Sequence, residues 1–339
     1  MKKIELTGLN RVLSNARKVV ILGHKNPDGD AIGSTMGLNF HLKKKNINSH
    51  VIMPNDYPDF LKWLPGNDQV MIFERNKSEC TDLLKEADLI FTLDFNDLSR
   101  VGDDMAKILE NLDIDFGLID HHRQPGDYAT YQMTDDQKSS TSEMVYDFID
   151  YFEETDLIDE AIATNLYAGI LTDTGSFKYA STTAHTHRII AQLIDHGAPN
   201  NLIHKNIFDV NSLNKLKLLG LALTQLKTVP KHKVAYIYLT RKNLEDHQFK
   251  KGDTEGFVNY ALSIKNVELA AIFIEDLYLD YIKISLRSKN DFDVNILARE
   301  SFNGGGHKNA AGGRFDQSLK ECIDFFKNTI TQYPELKCA

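Results

Sequence analysis

Three times between residues 17 and 122, a short apolar run stops abruptly at acidic or histidine side chains. RKVVILG (17–23) runs into HKNPDGD, ADLIFTLDF (87–95) carries Asp94 near its end, and FGLIDHH (116–122) closes on Asp120, His121 and His122. Between them lie AIGSTMGLNFHLKKK (31–45) and DDMAKILENL (103–112), both helical in character, and a further apolar run, VIMP, at 51–54. Alternation of this kind predicts a parallel sheet covered by helices on both faces. In open α/β sheets the ligand site lies beyond the carboxyl ends of the strands. The clusters His24/Asp28/Asp30, Asp94 and Asp120/His121/His122 all stand at or just past such an end, so residues distant in sequence become candidate neighbours.

From about 139 to 200 the pattern turns helical. SSTSEMVYDFIDYF has a Ser/Thr-rich start and an acidic first turn, AIATNLYAGILTDTG repeats apolar residues at helical spacing and breaks at TDTGSF, and TTAHTHRIIAQLIDHGAP closes on Gly197 and Pro199. Residues 201–228 read as a connecting helix. Strand-rich text returns near 231 with KVAYIYLT, VELAAIFIED and YIKISLRSK, and leads into a glycine-rich loop, FNGGGHKNAAGGRF, at 302–315. The expected organisation is α/β: an N-terminal parallel-sheet domain with helices on both faces over 1–190, a helical linker over 191–228 and a smaller C-terminal α/β domain over 229–339.

Composition narrows the partners. The 339 residues carry 48 acidic and 39 basic side chains, a formal charge of −9, which argues against coating long duplex nucleic acid through a basic surface. A small anionic substrate is still compatible, because cations bound at acidic clusters locally reverse the field. Three cysteines without CxxC spacing suggest reduced thiols and a cytoplasmic setting. The start, MKKIELTGLNRVL, lacks the apolar core of a signal peptide, and no run of about 18 apolar residues suggests a membrane span.

The polar clusters carry oxygen and nitrogen donors suited to divalent ions. In HKNPDGD, Pro27 and Gly29 force a turn that presents His24, Asp28 and Asp30; alone, it reads first as an ordinary Asp-rich turn with a capping Asp before the helix at Ala31. Two adjacent histidines after a strand can point to opposite sides, one toward a metal and one toward a substrate. Asp94, from a central run between the other two loops, is the natural bridging carboxylate. Asp173 closes a helical stretch and by itself could be no more than a helix terminus. Two ions ~4 Å apart would bind a bridging hydroxide and support in-line attack on phosphorus without a side-chain nucleophile. In GGGHKNAAGG (304–313) consecutive glycines expose backbone N–H groups, His307 and Lys308 add donors, and Arg287 in SLRSK suits bidentate phosphate contact. Phe302, Phe315 and Tyr260 are candidates for base stacking or for core packing.

Taken together, HKNPDGD, LDF with Asp94, Asp120-His121-His122, TDTGSF with Asp173 and GGGHKNAAGG resemble, in this order and over nearly the whole chain, the DHH phosphoesterase superfamily with its DHH-associated C-terminal domain. The resemblance implies two Mn²⁺ ions, with Mg²⁺ or Co²⁺ as alternatives. His24, Asp28 and Asp94 would hold one, and Asp30, Asp94, His121 and Asp173 the other. Asp120 would support the histidine pair and His122 would serve the substrate phosphate, with Arg287, Ser288, Gly305, Gly306 and His307 gripping phosphate from the second domain.

Length and the glycine-rich signature favour the compact NrnA-type branch over the RecJ exonucleases, the membrane-bound cyclic-dinucleotide phosphodiesterases and the manganese pyrophosphatases. The activity then expected is hydrolysis of short oligoribonucleotides (nanoRNA) to mononucleotides and of 3′-phosphoadenosine 5′-phosphate (pAp) to AMP and phosphate. Two alternatives stand beside it: a phosphodiesterase acting mainly on pApA or cyclic di-AMP, and a nucleotide-binding sensor without catalysis. Expected partners are short RNA and adenine nucleotides, with no long duplex and no membrane; a homodimer is left open.

Overall fold

A computed structural model describes residues 2–338, which divide between Val210 and Asn211 into two compact units. In the first, seven strands form one sheet: β1 (Lys2–Glu5), β2 (Val19–Leu22), β3 (Ser49–Met53), β4 (Val70–Ile72), β5 (Leu89–Leu93), β6 (Asp115–Asp120) and β7 (Tyr131–Asp135). Their order is β1-β7-β6-β5-β2-β3-β4. Every neighbouring pair is parallel except β1 with β7. The sheet is therefore mixed at one edge. Sequence reading passed over β1, β4 and β7 for physical reasons: β1 is charged and largely exposed, β4 has three residues, and β7 is mostly polar.

Period two explains why β2 and β5 are buried throughout, with Thr92 their one polar residue. Val19 and Ile21 join Val51, Met53, Phe91 and Ile119 in one core, while Val20 and Leu22 join Ile52, Ile90 and Phe116 in another. The first core is closed by α1 (Leu9–Asn15), α2 (Gly29–Lys44), α5 (Thr141–Tyr151), α6 (Glu160–Asp173), α7 (Ala184–Asp195) and α8 (Asn200–Phe208). The second is closed by α3 (Lys77–Lys85) and α4 (Asp103–Leu109).

Helices α2 and α6 meet along small residues. A Cβ at Gly33 would lie 2.5 Å from the Asn165 carbonyl oxygen and 2.9 Å from the Gly169 nitrogen, and a Cβ at Gly37 would run into Leu166. Only glycine allows this approach, which sets the N-terminus of α2 beside the C-terminal end of α6.

The second unit carries a six-stranded sheet ordered β12-β13-β11-β10-β9-β8. Its strands are β8 (Lys227–Thr228), β9 (Val234–Leu239), β10 (Leu269–Glu275), β11 (Ile282–Ser288), β12 (Gly305–His307) and β13 (Ala310–Phe315), and only β9 and β10 pair in parallel. One face packs on α12 (Val294–Ser301) and α13 (Leu319–Ile330), the other on α9 (Leu213–Thr224), α10 (Arg241–Asp246) and α11 (Phe257–Leu262). The units divide within the helical stretch 191–228, since Ile203 and Ile207 of α8 enter the first core and Leu218 and Ala222 of α9 the second.

The glycine-rich stretch expected as a loop is largely a hairpin, β12 with β13, because residues without Cβ let strands and neighbouring backbone close in; a Cβ at Gly313 would sit 2.6 Å from the Phe302 carbonyl oxygen. Phe302 is fully buried and Phe315 packs beside it, so both belong to the core, whereas Tyr260 is about half exposed (48%). Cys80, Cys322 and Cys338 are unpaired. Among the described residues, no helix is long and apolar enough to cross a membrane.

Candidate metal centre

The three strand-end clusters do converge. His24 follows β2, Asp94 follows β5, and Asp120 ends β6, with His121 and His122 next in the chain. Asp28 is the N-cap of α2, its Oδ1 accepting from the amides of Asp30 and Ala31 at 3.0 and 3.1 Å, and Asp30 lies in the first turn. Asp173 ends α6. The capping function of Asp28 and its place in the cluster are thus compatible, because one carboxylate can accept along several lone-pair directions.

Asp94 stands at the middle. Its Oδ2 lies 3.4 Å from His24 Nε2 and its Oδ1 3.5 Å from His121 Nε2. His24 Nε2 is also 3.8 Å from Asp28, and His121 Nε2 is 3.5 Å from Asp173 and 3.9 Å from Asp30. His24/Asp28/Asp94 and Asp30/Asp94/His121 each bring ligand atoms within 4.8 Å of one another. Asp94 adopts φ 65°, a left-handed conformation that non-glycine residues seldom take, and this strain is held by the amide it donates to the Ile119 carbonyl at 3.2 Å.

The histidines are oriented by their other nitrogens. His24 Nδ1 lies 2.9 Å from the Lys25 carbonyl oxygen and His121 Nδ1 3.3 Å from that of Lys138. A carbonyl only accepts, so Nδ1 carries the proton in both rings and Nε2 faces the carboxylates. His122 Nδ1 is 2.7 Å from Asp120 Oδ1, and Asp120 is fully buried with Oδ2 left without a hydrogen-bond partner.

Electrostatics fits a cation site. Burial disfavours charge on His24 and His121, yet hydrogen bonds and charge from Asp28 and Asp94 around the first ring, and from Asp94, Asp173 and Asp30 around the second, raise both pKa values well above the ordinary range. Burial works to raise the pKa of Asp94, but His121 and His24 hold it well below the usual carboxylate range. Burial, then repulsion from Asp94 and Asp173, pushes Asp30 up. Four carboxylates and two imidazoles crowded together attract positive charge, and their oxygen and nitrogen donors suit hard or borderline divalent ions. The residues therefore fit a metal centre.

Sequence reading missed how α5 backs this centre. The amides of Thr141 and Ser142 donate to the two oxygens of Asp30 at 2.6 and 2.8 Å, and Thr141 Oγ1 donates to Asp94 Oδ1 at 3.1 Å. The signal is the Ser/Thr-rich start of that helix, which by itself marks only a helix beginning.

In the second unit, Arg287 and Ser288 end β11, and Gly305, Gly306 and His307 form β12 on the neighbouring edge hairpin. Gly306 takes φ 151° and donates its amide to Asn295 Oδ1 at 2.9 Å. Ser288 Oγ donates its single proton to the Phe292 carbonyl at 2.6 Å and accepts from Asn309 Nδ2 at 2.9 Å, so its hydroxyl fixes the turn of the hairpin.

Comparison with known proteins agrees with this layout. Residues 18–170 match the model of the DHH family, N-terminal domain, and residues 231–335 that of the DHHA1 domain. The chain is 30% identical, over 91% of its length and 93% of the relative, to the probable bifunctional oligoribonuclease and PAP phosphatase NrnA of Streptococcus mutans. It is 26% identical to the cyclic-di-AMP phosphodiesterase GdpP of Bacillus subtilis, over 96% of this chain and 49% of that protein. The crystal structure of an exopolyphosphatase-related protein from Bacteroides fragilis superposes with a TM-score of 0.94 at 38% identity, covering 98% of this chain and 96% of that one.

Proposed function

The chain belongs to the DHH family, and on that premise we propose that it is a phosphoesterase that hydrolyses short oligoribonucleotides to mononucleotides and pAp to AMP and phosphate, with two Mn²⁺ ions as cofactors. The observation that carries this reading is the position of Asp94, whose two oxygens face two different imidazoles. His24, Asp28 and Asp94 would hold one ion, and Asp30, Asp94, His121 and Asp173 the other. Bound there, such ions supply Lewis acidity that activates water and offsets charge on phosphate oxygens.

The remaining side chains act on the substrate. Asp120 fixes His122 through Nδ1 and so aims Nε2 for contact with a phosphate or leaving oxygen. Arg287, Gly305 and His307 supply guanidinium, amide and imidazole donors to a second phosphate oxygen set, while Gly306, whose amide is given to Asn295, and Ser288 hold the hairpin that presents them. A net charge of −9 supports short substrates over long polymers. The unpaired thiols support a cytoplasmic setting. The likeness to the NrnA relative supports oligoribonuclease and pAp phosphatase activity, and the likeness to GdpP supports cyclic di-AMP or pApA as the second reading.

A mass-resolved hydrolysis panel with Mn²⁺ tests this, using pAp, pApA, cyclic di-AMP, RNA of two to ten nucleotides, single-stranded DNA and pyrophosphate. Release of mononucleotides from short RNA and of phosphate from pAp is expected. Dominant pyrophosphate cleavage, or tight nucleotide binding without turnover, would overturn it.

A further inference from the structure

Behind His121, on the side away from Asp94, lies a charged cluster that the proposed chemistry does not use. Glu143, in the first turn of α5, is 1% exposed. Its Oε2 accepts from Ser139 Oγ at 2.5 Å and Thr186 Oγ1 at 2.8 Å, and its Oε1 lies 3.3 Å from the Lys138 ammonium. That ammonium is also 2.5 Å from Asp147 Oδ2, and Asp147 Oδ1 pairs with His185 Nε2 at 2.7 Å. Glu143, Asp147 and His185 could pass for a second metal-ligand set. Lys138 already places a fixed cation against both carboxylates, which answers their charge without an ion.

The cluster matters for what it immobilises. The carbonyl that receives His121 Nδ1–H belongs to the peptide joining Lys138 to Ser139. Both flanking side chains are tied to Glu143, one by ion pair and one by hydrogen bond, and Lys138 is tied again to Asp147. A peptide held on both sides cannot rotate its carbonyl away without breaking a buried charged contact, which is expensive in a low-dielectric setting. Burial opposes the charge on Lys138, but hydrogen bonds and charge from Asp147 and Glu143 outweigh it and keep the ammonium protonated.

We propose that Lys138, Glu143 and Asp147 are positioning residues: through the 138–139 peptide they fix the tautomer and direction of His121, and so set the affinity of the ion site that contains His121, Asp30 and Asp173. The same short segment, KSSTSE at 138–143, then serves three ligands at once, because the Thr141 and Ser142 amides hold Asp30 and the Thr141 hydroxyl touches Asp94. This inference rests on the two-metal reading above, and the test separates the two.

The probe is Mn²⁺ itself, counted by electron paramagnetic resonance of the unbound ion over the full-length chain, with steady-state kinetics on pAp alongside. A parent protein that binds no Mn²⁺ overturns the metal reading and this inference with it. Given parental binding, Lys138→Met is expected to weaken one of the two binding steps by about 10- to 100-fold, the range found when partners behind metal-bound histidines are removed. In that variant kcat at fixed Mn²⁺ should fall more than KM for pAp changes, and Lys138→Arg, which keeps the cation, should restore binding. Parental Mn²⁺ affinity in a folded Lys138→Met overturns the proposal. Should that variant fail to fold by circular dichroism, Asp147→Asn, which keeps the Glu143 pair, decides: several-fold weaker binding sustains the proposal and unchanged binding overturns it.

Discussion

The two units build the groups proposed to handle phosphate by opposite means. The first gathers side chains from β2, α2, β5, β6 and α6, buries most of them, and orients each imidazole through a second hydrogen bond. The second collects its groups from β11 and an edge hairpin that are adjacent in the sheet, buries Ser288 but leaves Arg287, Gly305 and His307 half-buried and Gly306 exposed, and relies on backbone freed by glycine. Buried charge demands exact partners, so damage in the first unit should strike ion binding and turnover. Half-exposed donors are individually replaceable, so damage in the second should strike substrate affinity.

The largest effect expected is that of Asp94→Ala, which removes a donor from both ion sets. Turnover of pAp should fall more than about 100-fold, beyond the loss seen for merely supporting partners, and near-parental rates would erase the contrast between the units. Next comes the ion itself: chelation should abolish hydrolysis, and free Mn²⁺ at 100 times its Kd should stabilise the protein by about 2.7 kcal/mol, read as a rise in Tm. That gain should shrink in His121→Ala, which leaves the His24, Asp28 and Asp94 set in place, and persist in full in Arg287→Ala. In the second unit, Arg287→Ala should raise KM roughly tenfold, the loss of about 1.5 kcal/mol from a charge-assisted hydrogen bond, with Mn²⁺ affinity untouched. A fall confined to kcat would move Arg287 to the other side of the comparison. The smallest effects test packing. Gly33→Val and Gly313→Val should each cost about 1–3 kcal/mol of stability by overpacking, measured by denaturant unfolding. Only the first should also weaken Mn²⁺ binding.

Much of the first unit was legible because its central strands are apolar on both faces and stop at charged residues, so Val19–Leu22 and Leu89–Leu93 announce both a sheet and its functional edge. Asp94 could be singled out as the central carboxylate from its place between the two other polar loops, and its oxygens do face His24 and His121. What escaped was support supplied by backbone: the Lys138 carbonyl and the Thr141 and Ser142 amides carry no signature of their own. The edge strands β1 and β7 escaped because their pairing is decided by neighbours far along the chain. In the second unit Gly304–Gly306 read as a loop, since composition alone does not distinguish glycine used for freedom from glycine used for closeness.

The glycine contact between α2 and α6 also has a metrical meaning. Asp30 and Asp173 ride on opposite ends of these two helices, so their separation is inherited from the distance between the helix backbones. Gly33 and Gly169 act in this respect as the gauge of the site. A methyl group added at Gly33 would press on the backbone of α6, and one added at Gly169 would stand 3.0 Å from Asp30 Oδ1, so the packing seam itself limits how the two carboxylates can be spaced.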